Sequence, residues 1–142
     1  MPGNTLTDGE IVALDRDGQF FNLLQHHRSG AQAILFYPFD VIIHRGKSLI
    51  QIPLEQRREI LDDTIRDLKK HSSLISLSDM FDVKPAELIP LVKQFGFEGI
   101  VAKRKDSFYE IGKRTGAWAK FKVNKGQEFV LEAIDRAICW TH

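Results

Sequence analysis

At 142 residues, 43% hydrophobic and 27% charged, the chain has the length of one ordinary globular domain and enough apolar surface for a core, which excludes a disordered segment. Its net charge of +1 conceals an uneven distribution: residues 98–126 hold eight Lys/Arg against three Asp/Glu, and the remainder holds twelve against sixteen. Its single cysteine, Cys139, excludes an internal disulfide framework, no apolar run is long enough to span a membrane, and Met1-Pro2-Gly3 lacks the regions of a signal peptide, so a cytoplasmic location without a membrane partner is expected.

In chain order, residues 10–15 are predicted as a strand, followed by the turn Arg16-Asp17-Gly18 and a short amphipathic piece over 19–25. Residues 33–43 are apolar and interrupted by Pro38, which has no N–H for a ladder bond and so predicts a bulge or a sheet edge. His44-Arg45-Gly46-Lys47 is predicted as a hairpin turn, after which 48–52 pairs back. Leu54, Leu61, Ile65 and Leu68 recur on one face of a helix opened near Pro53, with Glu55, Arg58, Asp62 and Asp63 turned mostly to water. A second stripe, Leu88, Leu91, Val92 and Phe95, begins at Pro85 and stops at Gly96. Pro90 lies inside it, and since an interior proline costs about 3 kcal/mol the helix is predicted to kink or to start one turn later. Strands over 98–103, 117–122 and 127–133 complete an α+β chain with no internal repeat and no obvious linker.

Alternate strand residues share a face, so Glu98, Ile100 and Ala102 are expected on one side of their strand, and Val101 and Lys103 on the other. Trp118, Lys120 and Lys122 align in the same way, with Ala119 and Phe121 opposite. Two ammonium groups about 7 Å apart on one strand face repel each other unless an anion lies between them. Phosphate suits that position, and a carboxylate on the neighbouring strand could hold a divalent metal bridging to the same phosphate. The other reading of this pattern is a solvated edge face on which Glu98 is a surface ion-pair partner. The five histidines show no metal-ligand spacing.

The run Glu98-Gly-Ile-Val-Ala-Lys-Arg-Lys-Asp-Ser107, with Gly112-Lys-Arg-Thr-Gly-Ala-Trp-Ala-Lys-Phe-Lys122, closely resembles motifs IV and V of the adenylation domain of ATP-dependent DNA ligases. Asp8-Gly-Glu-Ile-Val-Ala-Leu-Asp15 resembles motif III, and Tyr37-Pro-Phe-Asp-Val41 resembles motif IIIa, in the family's order. The resemblance implies a nucleotidyltransferase (ATP-grasp-like adenylation) domain fragment of antiparallel sheets with packed helices, over residues 1–130, with 131–142 a divergent C-terminal tail. It implies that Glu10 contacts the ribose or supports the metal site, that Phe39 stacks on adenine, that Lys120 and Lys122 touch the α-phosphate of ATP, and that Glu98 binds Mg2+. Lys103 is a weaker candidate, because alternation puts it opposite Glu98. The partner implied is nicked duplex DNA, joined through lysyl-AMP and DNA-adenylate intermediates.

The resemblance also marks what the sequence lacks. The family's nucleophile is the lysine of a Lys-x-Asp-Gly motif, whereas the Asp-Gly pairs here are Asp8-Gly9 and Asp17-Gly18, preceded at the lysine's position by Leu6 and Asp15. No catalytic residue is therefore expected. Phe108 and Ile111 stand where the family often has prolines. The sequence leaves open a partial ligase without turnover, one half of a split ligase whose separate partner chain supplies the lysine, and a non-catalytic nucleic-acid-binding module.

Overall fold

Pro38 determines how the first sheet is built. The computed structural model describes residues 3–14, 20–21, 33–78, 80–94, 99–113, 116–122 and 137–141. The predicted piece over 19–25 falls largely outside them, as do the strand over 127–133 and the helix stop at Phe95-Gly96. Strands β1 (Leu6–Leu14), β2 (Phe20–Phe21), β3 (Ala33–His44) and β4 (Lys47–Ser48) form an antiparallel sheet in the order β2-β1-β3-β4. Pro38 thus lies within an interior strand, and the ladder accommodates its missing donor by slipping. Asp8 pairs with Asp40 and Gly9 with Pro38, so Phe39 is the extra residue of a bulge. A second slip, between Leu6 and Thr7, passes over Ile42.

The predicted hairpin turn is present. Arg45 and Gly46 have φ of 49° and 80°, and His44 pairs with Lys47, as in the type I′ turns whose twist matches the flanking strands. The returning strand is shorter than expected, with only the Leu49 N–H bond to the Ile42 carbonyl at 2.8 Å beyond it.

Helix α1 (Leu54–Lys69) carries the predicted stripe, with Leu54, Leu61 and Ile65 fully buried. Two arginines join it. Arg57 and Arg58 are 0% and 4% exposed, so Arg58, expected in water, is instead enclosed and bonded through Nε to Asp62 Oδ1 at 2.7 Å. After the helix, the chain returns to β3: the Phe36 N–H donates to the Leu74 carbonyl at 2.8 Å and the Ser76 N–H to the Phe36 carbonyl at 3.0 Å.

The chain divides into two compact units, Met1–Ile50 with Gln56–Leu77, and Gln51–Glu55 with Ser78–His142. In the second unit, β5 (Phe81–Val83), β6 (Gly99–Arg104), β7 (Trp118–Lys122) and β8 (Ala137–Thr141) form an antiparallel sheet ordered β5-β8-β6-β7. The sequence reading anticipated neither β5 nor β8, and β8 lies between two strands far from it in the chain. Helix α2 (Pro85–Gln94) begins where first predicted and continues through Pro90. Its Leu88 and Val92 pack with Ile100, Ala102 and Phe121 into a core, whereas Leu91, expected in the buried stripe, is 51% exposed. The first N–H groups of α1, unpaired by helix geometry, donate to the Ser107 carbonyl at 2.9 Å (from Leu54) and the Lys105 carbonyl at 3.1 Å (from Glu55).

Candidate functional site

Strand alternation in β7 sorts its side chains as the sequence predicts. Ala119 and Phe121 turn to the α2 core, while Trp118, Lys120 and Lys122 are exposed on the other face. The register with β6 sets Val101 across from Lys120, and Lys103 across from Trp118. Residues directly opposite in an antiparallel pair share a face. Lys103, ranked lower from sequence because it stands opposite Glu98 in the strand pattern, therefore lies on the same face as Lys120 and Lys122. Glu98 itself lies outside the described residues.

Lys103 is only 2% exposed, and its ammonium sits 3.2 Å from the centroid of the Trp118 ring. The negative face of the indole offsets part of what the ammonium loses on leaving water. Tyr109 meets the same indole edge-on, with ring centroids 6.2 Å apart and planes at 81°. The neighbouring cations are held differently. Arg104 binds Asp106 with Nε at 3.2 Å and Nη2 at 2.9 Å, and these bonds hold the Asp106 carboxyl below its ordinary value and raise the Arg104 guanidinium. Lys105 pairs with Asp82. The basic strip counted in the sequence is thus partly neutralised, and its exposed cations among the described residues are the ion-paired Arg104 together with Lys113, Lys120 and Lys122.

In the first unit, Glu10 is exposed on β1 opposite Tyr37, and Phe39 is half-buried at the bulge. Beside Phe39, the fully buried Asp40 accepts from Arg57 through Nε at 2.8 Å and Nη2 at 2.9 Å, and from the Val41 N–H at 2.8 Å. Opposite the bulge stands Gly9, where a Cβ would lie 2.5 Å from the Phe36 ring and 2.7 Å from the Tyr37 carbonyl oxygen. The bulge that presents Phe39 is therefore fixed by a forked ion pair and by a position that excludes a side chain. Arg57 was missed from sequence, although it stands three residues after Leu54 and four before Leu61, on the apolar stripe.

A family model described as "ATP dependent DNA ligase domain" matches residues 2–122. The chain belongs to the ATP-dependent DNA ligase family. It is 34% identical over 129 residues to the "Multifunctional non-homologous end joining protein LigD" of Mycolicibacterium smegmatis, covering 90% of this chain and 16% of that protein. With a "DNA ligase" of Methanococcus aeolicus it is 32% identical over 133 residues, covering 84% of this chain and 23% of that protein. Among solved structures, the ligase domain of LigD from M. tuberculosis superposes with a TM-score of 0.68 at 28% identity, covering 83% of this chain and 37% of that one. A mycobacterial DNA ligase D complexed with ATP and MES gives 0.67 at 29% identity, covering 83% and 38%. This ligase-family chain thus spans well under half the length of the relatives it matches, as part of an α+β adenylation domain.

The donor sets fit the two expected ligands unequally. Cations at alternate positions of one exposed strand face suit a phosphate group. For Mg2+, no group of three His, Cys, Asp or Glu stands together among the described residues, so no step is assigned to a metal here.

Proposed function

We propose that this chain is part of a DNA ligase adenylation domain that binds ATP, with Lys120 and Lys122 on the α-phosphate, Phe39 on adenine and Glu10 at the ribose. The carrying observation is the exposed pair of lysines at alternate positions of β7, inside the segment matched by the family model. Their ammonium groups would offset charge on a phosphate, and preorganised charge of this kind is commonly the largest catalytic term. Phe39, held at a bulge, offers a ring face of fixed orientation at little entropy cost. Glu98 is the carboxylate proposed for Mg2+, on the family resemblance alone. The reaction proposed for the complete enzyme is the sealing of nicked duplex DNA through lysyl-AMP and DNA-adenylate, in repair or recombination.

With no Lys-x-Asp-Gly in its sequence, the chain alone does not adenylate itself. Lys120 and Lys122, as phosphate ligands that neutralise charge, are poorly placed for in-line attack. Incubation with ATP and magnesium followed by intact-mass measurement is expected to show unmodified protein. A stoichiometric AMP adduct on any lysine would sink this reading. If a separate polypeptide bearing Lys-x-Asp-Gly restores adenylation on mixing, Lys120→Met and Glu98→Gln should each abolish it in folded protein. Full activity in both variants would remove the roles assigned to these residues. The exposed basic face of β7 also favours a second reading, a non-catalytic nucleic-acid-binding module.

A further inference from the structure

The residue that follows Phe39 is held to its own strand and to a helix at once. Asp40 Oδ1 accepts both the Val41 N–H at 2.8 Å and Arg57 Nε at 2.8 Å, while Oδ2 accepts Arg57 Nη2 at 2.9 Å. One carboxylate thus joins the backbone just beyond the bulge to a guanidinium carried by α1, and that guanidinium is set between the fully buried Leu54 and Leu61 of the same helix face. Stability does not account for these charges. A well-packed apolar pair of similar volume would join α1 to β3 as firmly or more so, whereas forked bonds fix angles that apolar contacts leave free. Across the ladder stands Gly9, where a Cβ would lie 2.7 Å from the Tyr37 carbonyl oxygen, so the bulge is confined from that side too. Bulges re-aim the side chain they carry, and the one carried here is Phe39.

We infer that Arg57 is a positioning residue for the nucleotide base: acting through Asp40, it sets the aim of the Phe39 ring and with it the adenine-dependent share of ATP affinity, a role that rests on the reading of Phe39 as the stacking surface for adenine. A ring already held at its binding angle loses less freedom when the base arrives. A ring tilted away from that angle loses the offset overlap on which stacking depends. Arg57, Asp40 and Phe39 all belong to the first compact unit, and Lys120 and Lys122 to the second, so a change at Arg57 alters the base-binding part of the proposed site and leaves the lysines that bind phosphate as they are.

Calorimetric titration of the full chain with ATP and with inorganic tripolyphosphate, both in magnesium buffer, separates the base from the phosphates. The parent is compared with Arg57→Lys, Asp40→Glu, Phe39→Leu and each of the first two combined with Phe39→Leu, all checked for an intact fold by circular dichroism. Arg57→Lys and Asp40→Glu keep both charges and alter only the fork, so neither strands a charge, and either one carries the comparison if the other does not fold. The parent is expected to bind ATP roughly tenfold tighter than tripolyphosphate, within the range for stacking one base on an aromatic ring. Arg57→Lys should lose most of that margin while its affinity for tripolyphosphate is unchanged, and in the Phe39→Leu background it should weaken ATP no further. A general loosening of the fold would instead lower both ligands and add to the loss from Phe39→Leu. ATP affinity equal to the parent's in the folded fork variants overturns the positioning role and leaves adenine stacking on Phe39 standing. An equal loss with and without Phe39 overturns it as well, because Arg57 would then act by another route. Parent-like ATP binding by Phe39→Leu, or no ATP binding by the parent, removes the stacking reading itself and the role of Arg57 with it.

Discussion

Asp40 and Arg57 form a fully buried, two-bond ion pair between β3 and α1, and such pairs are asymmetric in their energetics. Keeping both partners gains little over a well-packed apolar pair, but removing one strands the other charge out of water at a cost of about 3–5 kcal/mol. Arg57→Met should therefore lower the urea midpoint severely, and Asp40→Asn should do the same. Arg66→Ala, which breaks an exposed helix pair of 71% and 76% accessible side chains, should leave the midpoint unchanged. A midpoint in Arg57→Met equal to the parent's would mean that the pair does not hold the bulge. The helix stripe already placed Arg57 inward by spacing. What the sequence could not supply was its partner seventeen residues away, without which a buried arginine looks implausible.

At the scale of elements, glycine positions give the sharpest tests. A Cβ on Gly99 would lie 2.0 Å from the Phe121 carbonyl oxygen and 3.0 Å from the Lys122 Cα, both backbone atoms with no room to yield. Gly99→Ala should force β6 and β7 apart at that end, costing about 3 kcal/mol and exposing their amides to hydrogen exchange. Unchanged protection there would contradict the register. Arg45 is the opposite case, a long side chain held at a φ of 49° in a turn that favours Asn-Gly. Arg45→Asn is expected to raise thermal stability by roughly 0.5–1 kcal/mol, and a lowered transition would argue against the I′ turn.

Helix α2 shows why element type was legible when exact burial was not. Pro90 deprives the Ala86 carbonyl of its helical donor, but both residues are exposed, so water can satisfy that carbonyl and the helix continues. Leu91, one position from the buried Val92, falls just outside the width of the stripe that the sheet covers. Periodicity alone does not set that width.

Across the whole molecule, the motif-bearing strands could be read from sequence and the strand that completes their sheet could not. The run Ala137–Thr141 contains isoleucine, tryptophan and threonine, all favourable to strands, but its departure from the family pattern made it read as tail. Its place between β5 and β6 depends on pairings across most of the second unit, with Cys139 opposite Phe81 on one side and Ala102 on the other, which no local signal carries.

Charge is also a property of the whole chain, and here structure changes the count that sequence suggests. Eight Lys/Arg in residues 98–126 would predict a steep salt dependence for DNA binding, since each phosphate contact on duplex releases counterions worth about 0.9 in the log–log slope. Arg104 and Lys105 are instead committed to Asp106 and Asp82, and Lys103 is buried against Trp118. Beside the exposed but ion-paired Arg104, the exposed cations of this segment among the described residues are Lys113, Lys120 and Lys122, and contacts from these three set an expected slope of about −2 to −3 for a duplex of arbitrary sequence. Lys120→Gln should flatten it by about one contact, or ~0.9, while weakening all sequences alike. Anisotropy titrations over a salt series would decide the matter. A slope near −7, the value for all eight cations acting together, would show that the ion pairs to Asp82 and Asp106 open to DNA, and a slope of zero would remove the electrostatic basis for binding altogether.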